Sequence, residues 1–139
     1  MINKKTKVIL DTNFLLLPEQ SGLDIFDEIN SLMDRPYELF IIDRTMVELE
    51  ELTRKGKVKD RVAANVGMEL IDSKKVKKID SKGLKGNIVD DMILDAADDD
   101  TIVATIDKNL KRELLHEGYA VIEMVNNGFL RIRRKRERR

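Results

Sequence analysis

The sequence predicts an α/β domain, a three-layer α/β/α sandwich around a central parallel sheet of about four to five strands. Three observations predict it. Short apolar runs at residues 7–10, 38–42, 101–106 and 119–125 alternate with longer stretches whose apolar residues recur every three or four positions. Such alternation builds β-α-β units, a parallel sheet and right-handed crossovers that put helices on both faces. Acidic residues stand where these strands end or helices begin, at Asp11, Glu48, Asp90, Asp91 and Asp107. The length of 139 residues fits one domain, of a size that buries roughly two-thirds of the surface its unfolded chain exposes.

Residues 7–10 read as a buried first strand that stops at Asp11-Thr12-Asn13. Pro18 and Gly22 punctuate the approach to a helix carrying Ile25, Phe26, Ile29, Leu32 and Met33, and Arg35-Pro36 closes it because a residue before Pro avoids the α region. Residues 38–42 form the second strand. Asp43 reads as the N-cap of a helix through Met46, Val47, Leu49 and Leu52, stopped by Gly56. A third helix spans about 58–71, and residues 76–79 give a short strand. Residues 81–86, with Gly83 and Gly86, form the most flexible-looking loop. Asn87 or Asp90 opens a helix through Met92, Ile93 and Leu94, which Asp98-Asp99-Asp100 ends before the strand at 101–106. Asp107 caps a helix through Leu110 and Leu114 that stops at Gly118, and residues 119–125 are the last predicted strand. The domain is therefore expected over residues 1–125, with residues 126–139 as a basic tail.

Hydrophobic residues at 42% and charged residues at 37% describe a folded chain with a strongly ionised surface. Acids and bases balance at 26 each, yet the last nine residues are almost all basic, so a zero net charge says little against a polyanionic partner. The absence of Cys removes disulfides, thiolate catalysis and cysteine zinc sites. No window approaches the ~20 apolar residues of a membrane span. A cytoplasmic protein without membrane contact is expected.

In an open α/β sheet ligands bind outside the carboxyl ends of the strands. Carboxylates gathered there repel one another, and with one His and no Cys the economical positive partner is a hard divalent cation such as Mg²⁺ or Mn²⁺. Asp11 and Asn13, two residues apart, leave the first strand on the same side. Asp90 is favoured over Asp91 because Ile93, Leu94 and Ala97 make its side of the helix the core-facing one.

Four segments in order, 8–13, 47–49, 89–94 and 103–110, resemble the PIN-domain nucleases, and the resemblance covers the chain from about Lys7 to Met124. In that family, acids at these places bind one or two Mg²⁺ or Mn²⁺ ions and cut RNA. The resemblance implies that Asp11, Asp90 and Asp107 are metal ligands and that Glu48 binds through water or orients the attacking water. Asn13, Asp91 and Thr105 would support them. The segments at 89–91 and 105–112 look most like the archaeal and eukaryotic branch linked to small-subunit ribosomal RNA processing, and less like the VapC toxin branch. One departure is Ile106, where family members often carry Asn.

Lys108, Lys111 and Arg112 follow Asp107 on its helix and, with the basic tail, are candidates to hold RNA phosphates. A chain with two Tyr, four Phe and no Trp offers little for reading bases by stacking. Asp98, Asp99 and Asp100 read as loop solvation, and His116 as a cation at a helix C-terminus. Apolar side chains on the first two helices could form a homodimer seam. Competing readings are a non-catalytic RNA-binding assembly factor with the same fold, a toxin-type ribonuclease, a phospho-acceptor receiver domain using Asp80, and an aspartyl phosphatase. The last would want an Asp where Asn13 stands.

Overall fold

The computed structural model describes residues 4–126 and 128–135. In chain order the elements are β1 (Thr6–Leu10), a 3-10 helix (Thr12–Leu16), α1 (Leu17–Ser21), α2 (Ile25–Leu32), β2 (Tyr37–Ile42), α3 (Asp43–Lys55), α4 (Val58–Ser73), β3 (Lys77–Ile79), α5 (Val89–Ala96), β4 (Thr101–Ala104), α6 (Lys108–His116), β5 (Ala120–Val125) and β6 (Phe129–Arg133). The sheet order is β3-β2-β1-β4-β5-β6. Its first five strands are parallel, and β6 returns antiparallel to β5. The sandwich is as expected, with one strand more than the upper expectation of five.

The extra strand comes from the segment expected as tail. Residues 129–133 pair with β5 from Val125↔Phe129 to Val121↔Arg133. Their alternation hides Leu130 and half-buries Ile132 among surface arginines, a period-2 pattern that the density of charge obscured. Residues 136–139 of that segment lie outside the described residues.

The pleat divides the core in two. Val8 and Leu10 of β1, Ile102 and Ala104 of β4 and Ile122 of β5 face the layer of α2, α3 and α4. Ile9, Val103 and Val121 face α5 and α6, through Met92, Ile93, Leu110 and Leu114. Each large side chain so hidden contributes roughly 1.5–3 kcal/mol. Phe14 and Leu15 of the 3-10 helix are fully buried in the first layer, which pins the turn that follows Asp11.

Two local expectations change. Asp43 is the first helical residue of α3, with Ile42 at the cap position and no side-chain cap bond. Its carboxylate instead accepts the Ser81 amide at 3.2 Å. The loop over 81–88 is thereby tied at one end, and Asp95 of α5 accepts the Lys85 amide at 2.9 Å. Gly86, at φ 101°, lies so close to α5 that a Cβ there would stand 2.2 Å from that of Asp91.

Candidate active site

The strand order reverses direction of winding between β1 and β4, and the acids gather at this switch point. The register pairs Leu10 with Ala104, so the next residues out, Asp11 and Thr105, are neighbours. The Asp11 amide donates to the Ala104 carbonyl at 2.9 Å, and the Thr105 hydroxyl donates to Asp11 Oδ2 at 2.7 Å. The same hydroxyl accepts the Asp107 amide at 3.1 Å. One buried threonine thus fixes two of the predicted acids. Thr105 was expected only as a supporting contact; it is fully buried beneath the site.

Asp11, Asn13, Glu48 and Asp90 line one cleft of about 480 Å³. Glu48 is held by the Thr12 hydroxyl, which also reaches the Thr45 hydroxyl at 3.1 Å. Neither threonine was singled out from sequence, although Thr12 sits inside the Asp-Thr-Asn run and Thr45 lies three residues before Glu48, on the same helical face. Asn13 Oδ1 is buried without a hydrogen-bond partner. Lys55, at the end of α3, is the one cation among the described residues that line the cleft.

The electrostatics agree with this convergence. Burial pushes the Asp11 carboxyl up to about 6, the Thr105 hydroxyl and Thr12 amide pull it back, and the charges of Asp90 and Glu48 raise it. Asp90 is also raised, first by burial and then by Asp107, Glu48, Asp91 and Glu113. Glu113 escaped the sequence reading. It lies three residues after buried Leu110 on α6 and brings a further acid towards Asp90.

Asp107 does not line the cleft, though its charge acts on Asp90. As expected it caps α6, its Oδ1 accepting the Asn109 and Leu110 amides at 2.8 and 3.0 Å. Asp91 faces away, into a cavity between α5 and α6 that Glu113 and Arg112 also line. Asp80, which the receiver reading requires, is exposed and accepts the Lys82 amide at 2.9 Å outside the cleft.

Lys111, expected among the residues that hold RNA phosphates, is engaged by a carboxylate of its own chain. Its ammonium lies 3.3 Å from Glu123 of β5, which also takes Arg131 at 2.7 Å and Arg133 at 3.7 Å. Burial alone would raise the Glu123 carboxyl, but hydrogen bonds from Arg131 and Lys111 outweigh it and hold the group low. Lys108 and Arg112 are exposed. Asp98 and Asp100, at the opposite end of the sheet, pair with Lys7 at 3.3 Å and Lys4 at 3.4 Å, in keeping with a loop role.

A family model described as a PIN like domain matches residues 8–127. The chain belongs to this PIN-like family. It is similar to Ribonuclease VapC4 of Methanocaldococcus jannaschii, 30% identical over 118 residues that cover 84% of this chain and 88% of the relative. Its fold is similar to that of the PIN domain endonuclease Utp24, with a TM-score of 0.70 and 25% identity, covering 92% of this chain and 91% of the other. Membership agrees with the three-layer fold and with acids at the switch point. No helix among the described residues is long and apolar enough to cross a membrane.

The donor set fits a hard divalent cation. It offers carboxylate oxygens and the unpartnered amide oxygen of Asn13, and no sulfur or imidazole. Among the described residues no three acidic, His or Cys side chains are arranged to hold an ion by themselves.

Proposed function

We propose that this protein is a metal-dependent endoribonuclease, a hydrolase of RNA phosphodiester bonds. The observation that carries the reading is the sharing of one cleft by Asp11, Glu48, Asp90 and the unpartnered Asn13 oxygen. Asp11, Glu48 and Asp90 would hold Mg²⁺ or Mn²⁺, with Asp107 beside them as a further ligand. A cation bound there would offset the charge that builds on phosphorus and lower the pKa of water. The protein's own groups do the rest. Thr105 holds Asp11 in place, Thr12 steadies Glu48, and Glu48 orients the attacking water. The water oxygen bonds to phosphorus as the bond to the leaving strand end breaks. Lys55 faces the phosphate from the rim.

A ribosomal RNA precursor is the substrate we favour, supported by the branch-like segments at 89–91 and 105–112. The similarity to Ribonuclease VapC4 favours a second reading, a toxin-type ribonuclease. Induced expression in a bacterial host separates them, because a toxin-type enzyme arrests growth and a precursor-processing enzyme leaves it intact. We place the protein in the cytoplasm and propose a homodimer, but not through the first predicted helix, whose Ile25, Phe26 and Ile29 are buried in α2; the exposed apolar surface is supplied by Val47 on α3 and by Val58 and Val62 on α4.

Cleavage of an end-labelled structured RNA tests the enzyme reading. The wild-type protein is expected to cut with Mn²⁺ and stop with EDTA, and Asp11→Asn to lose at least about 100-fold of the rate, more than typical losses of supporting residues. Cleavage indifferent to both chelator and substitution would remove the cleft from the chemistry. An uncleaved but tightly bound RNA would favour the assembly factor.

A further inference from the structure

We propose that a basic cavity at the C-terminal end of α6 is a phosphate-binding exosite that grips the RNA strand a few nucleotides from the bond being cut. The inference rests on the ribonuclease reading and adds where the substrate is held. The cavity measures about 570 Å³ and is lined by Arg112, Leu115, His116, Arg133, Arg134 and Lys135. Among the described residues no carboxylate lines it.

Its cations come from two elements that the fold forces together. Arg112 and His116 lie on the last turns of α6, while β6, in register with β5, delivers Arg133 and the two residues after it. Lys135 fastens the arrangement by donating to the His116 carbonyl at 3.3 Å. Arg133 has a contact with Glu123 at 3.7 Å, but two closer cations already serve that carboxylate. Among the described residues Arg112, Arg134 and Lys135 form no ion pair. A helix C-terminus carries roughly half a negative charge, too little to balance this many cations. Like charges in a concave site leave an unmet demand for an anion, and the guanidinium forks match phosphate oxygens.

The position selects a polynucleotide backbone over a small anion. Helix α6 begins at Asp107 beside the acidic cleft and ends at the cavity. Its nine residues at 1.5 Å each span about 14 Å, roughly four phosphates of a stacked strand at 3.4 Å apiece. The cavity between α5 and α6, about 600 Å³, shares Arg112 and His116 with the basic one and is also lined by Asp91, Asp95, Glu113 and Glu117, so a strand running between the two poles follows the α6 surface rather than that acidic hollow. Among the described residues no Phe, Tyr or Trp lines the basic cavity, so the grip reads phosphates and carries no base information.

The test measures binding apart from cleavage. A 5′-fluorescein 12-nucleotide single-stranded RNA is titrated in EDTA with Asp11→Asn protein and with the same protein carrying Arg112→Ala, Arg134→Ala and Lys135→Ala. The triple change is expected to weaken binding at least tenfold and to flatten the slope of log K against log salt by about two, at ~0.7 per lost phosphate contact. With native Asp11 and Mn²⁺, it is expected to raise KM and leave kcat unchanged. Arg134→Glu alone, with folding checked by thermal melting, is the fallback should the triple variant not fold, and is expected to weaken binding in the same direction. Equal affinity and slope in both proteins would overturn the exosite, as would unchanged KM. RNA binding that depends on these cations in a protein that never cleaves would leave the exosite standing and remove the ribonuclease reading alone.

Discussion

Asp11 carries a free-energy conflict that a metal would resolve. Its carboxyl titrates near 3.8 in the unfolded chain and at about 6 in the fold. Between those values the folded protein keeps a proton the unfolded chain has lost, so metal-free stability declines as pH rises from about 4 to 6 and stays low above. The decline amounts to roughly 3 kcal/mol, taking ~1.4 kcal/mol per pKa unit. Asp90, raised in the same direction, adds to it. Asp98 and Glu123, held low, act with the opposite sign, losing their contribution only in more acid solution. Urea denaturation in EDTA should find the protein more stable at pH 5 than at pH 7.5, with Asp11→Asn abolishing most of the difference and Mn²⁺ restoring the loss at pH 7.5. A flat profile would mean that Asp11 is not the strained group. Thr105→Val keeps the shape but removes the hydroxyl that Asp11 and the Asp107 amide share. It is expected to cost about 1–3 kcal/mol in a melt and about 10–100-fold in initial rate with Mn²⁺.

The element that positions the cleft wall is the 3-10 helix after β1, and α4 sets its height. Gly67 of α4 approaches the Leu15 carbonyl so closely that an added Cβ would lie 2.8 Å from that oxygen. Ala in a helix interior ordinarily gains up to about 1 kcal/mol over Gly. Here the clash with backbone should win, and Gly67→Ala is expected to lose about 1–2 kcal/mol in denaturant titration and to slow cleavage by tilting Asn13 out of the cleft. A stabilised, fully active variant would show that the contact is slack. The helix itself was not legible: Phe14, Leu15, Leu16 and Leu17 form an unbroken apolar run whose period is neither 2 nor 3.6. The long elements were legible because their periods were clear. Helix α4, expected over 58–71, runs Val58–Ser73, and the strand expected over 101–106 is β4, Thr101–Ala104. Strand β6 was hidden because its exposed face carries Arg131 and Arg133 beside an exposed Phe129 in an arginine-rich run, and the cap of α3 because Asp43 found a better partner in a loop 38 residues away.

At the scale of the molecule, a net charge of zero conceals two poles, carboxylates at the carboxyl ends of β1 and β4 and cations where α6 meets β6. The acidic pole could be read from sequence because Asp11 and Asp107 follow recognisable strands and Asp90 opens a helix, and strand ends are where such sheets bind ligands; Glu48, in the middle of α3, stood out only through the family resemblance. Which acids share a wall could not be read. Asp107 lies beside the cleft and Asp91 turns into the cavity between α5 and α6, whereas Thr12, Thr45 and Lys55 join the site through packing between elements far apart in sequence, and Glu113 acts on Asp90 only through its charge. The pairing of Lys111 could not be read for the same reason, because its partner Glu123 lies across the layer on β5. The acids at the switch point form the seat proposed for a hard cation. Anomalous scattering from a manganese-soaked crystal tests it most directly. A peak against Asp11 and Asp90 that vanishes in Asp11→Asn is the result expected; an empty cleft at millimolar Mn²⁺ in active protein would contradict it.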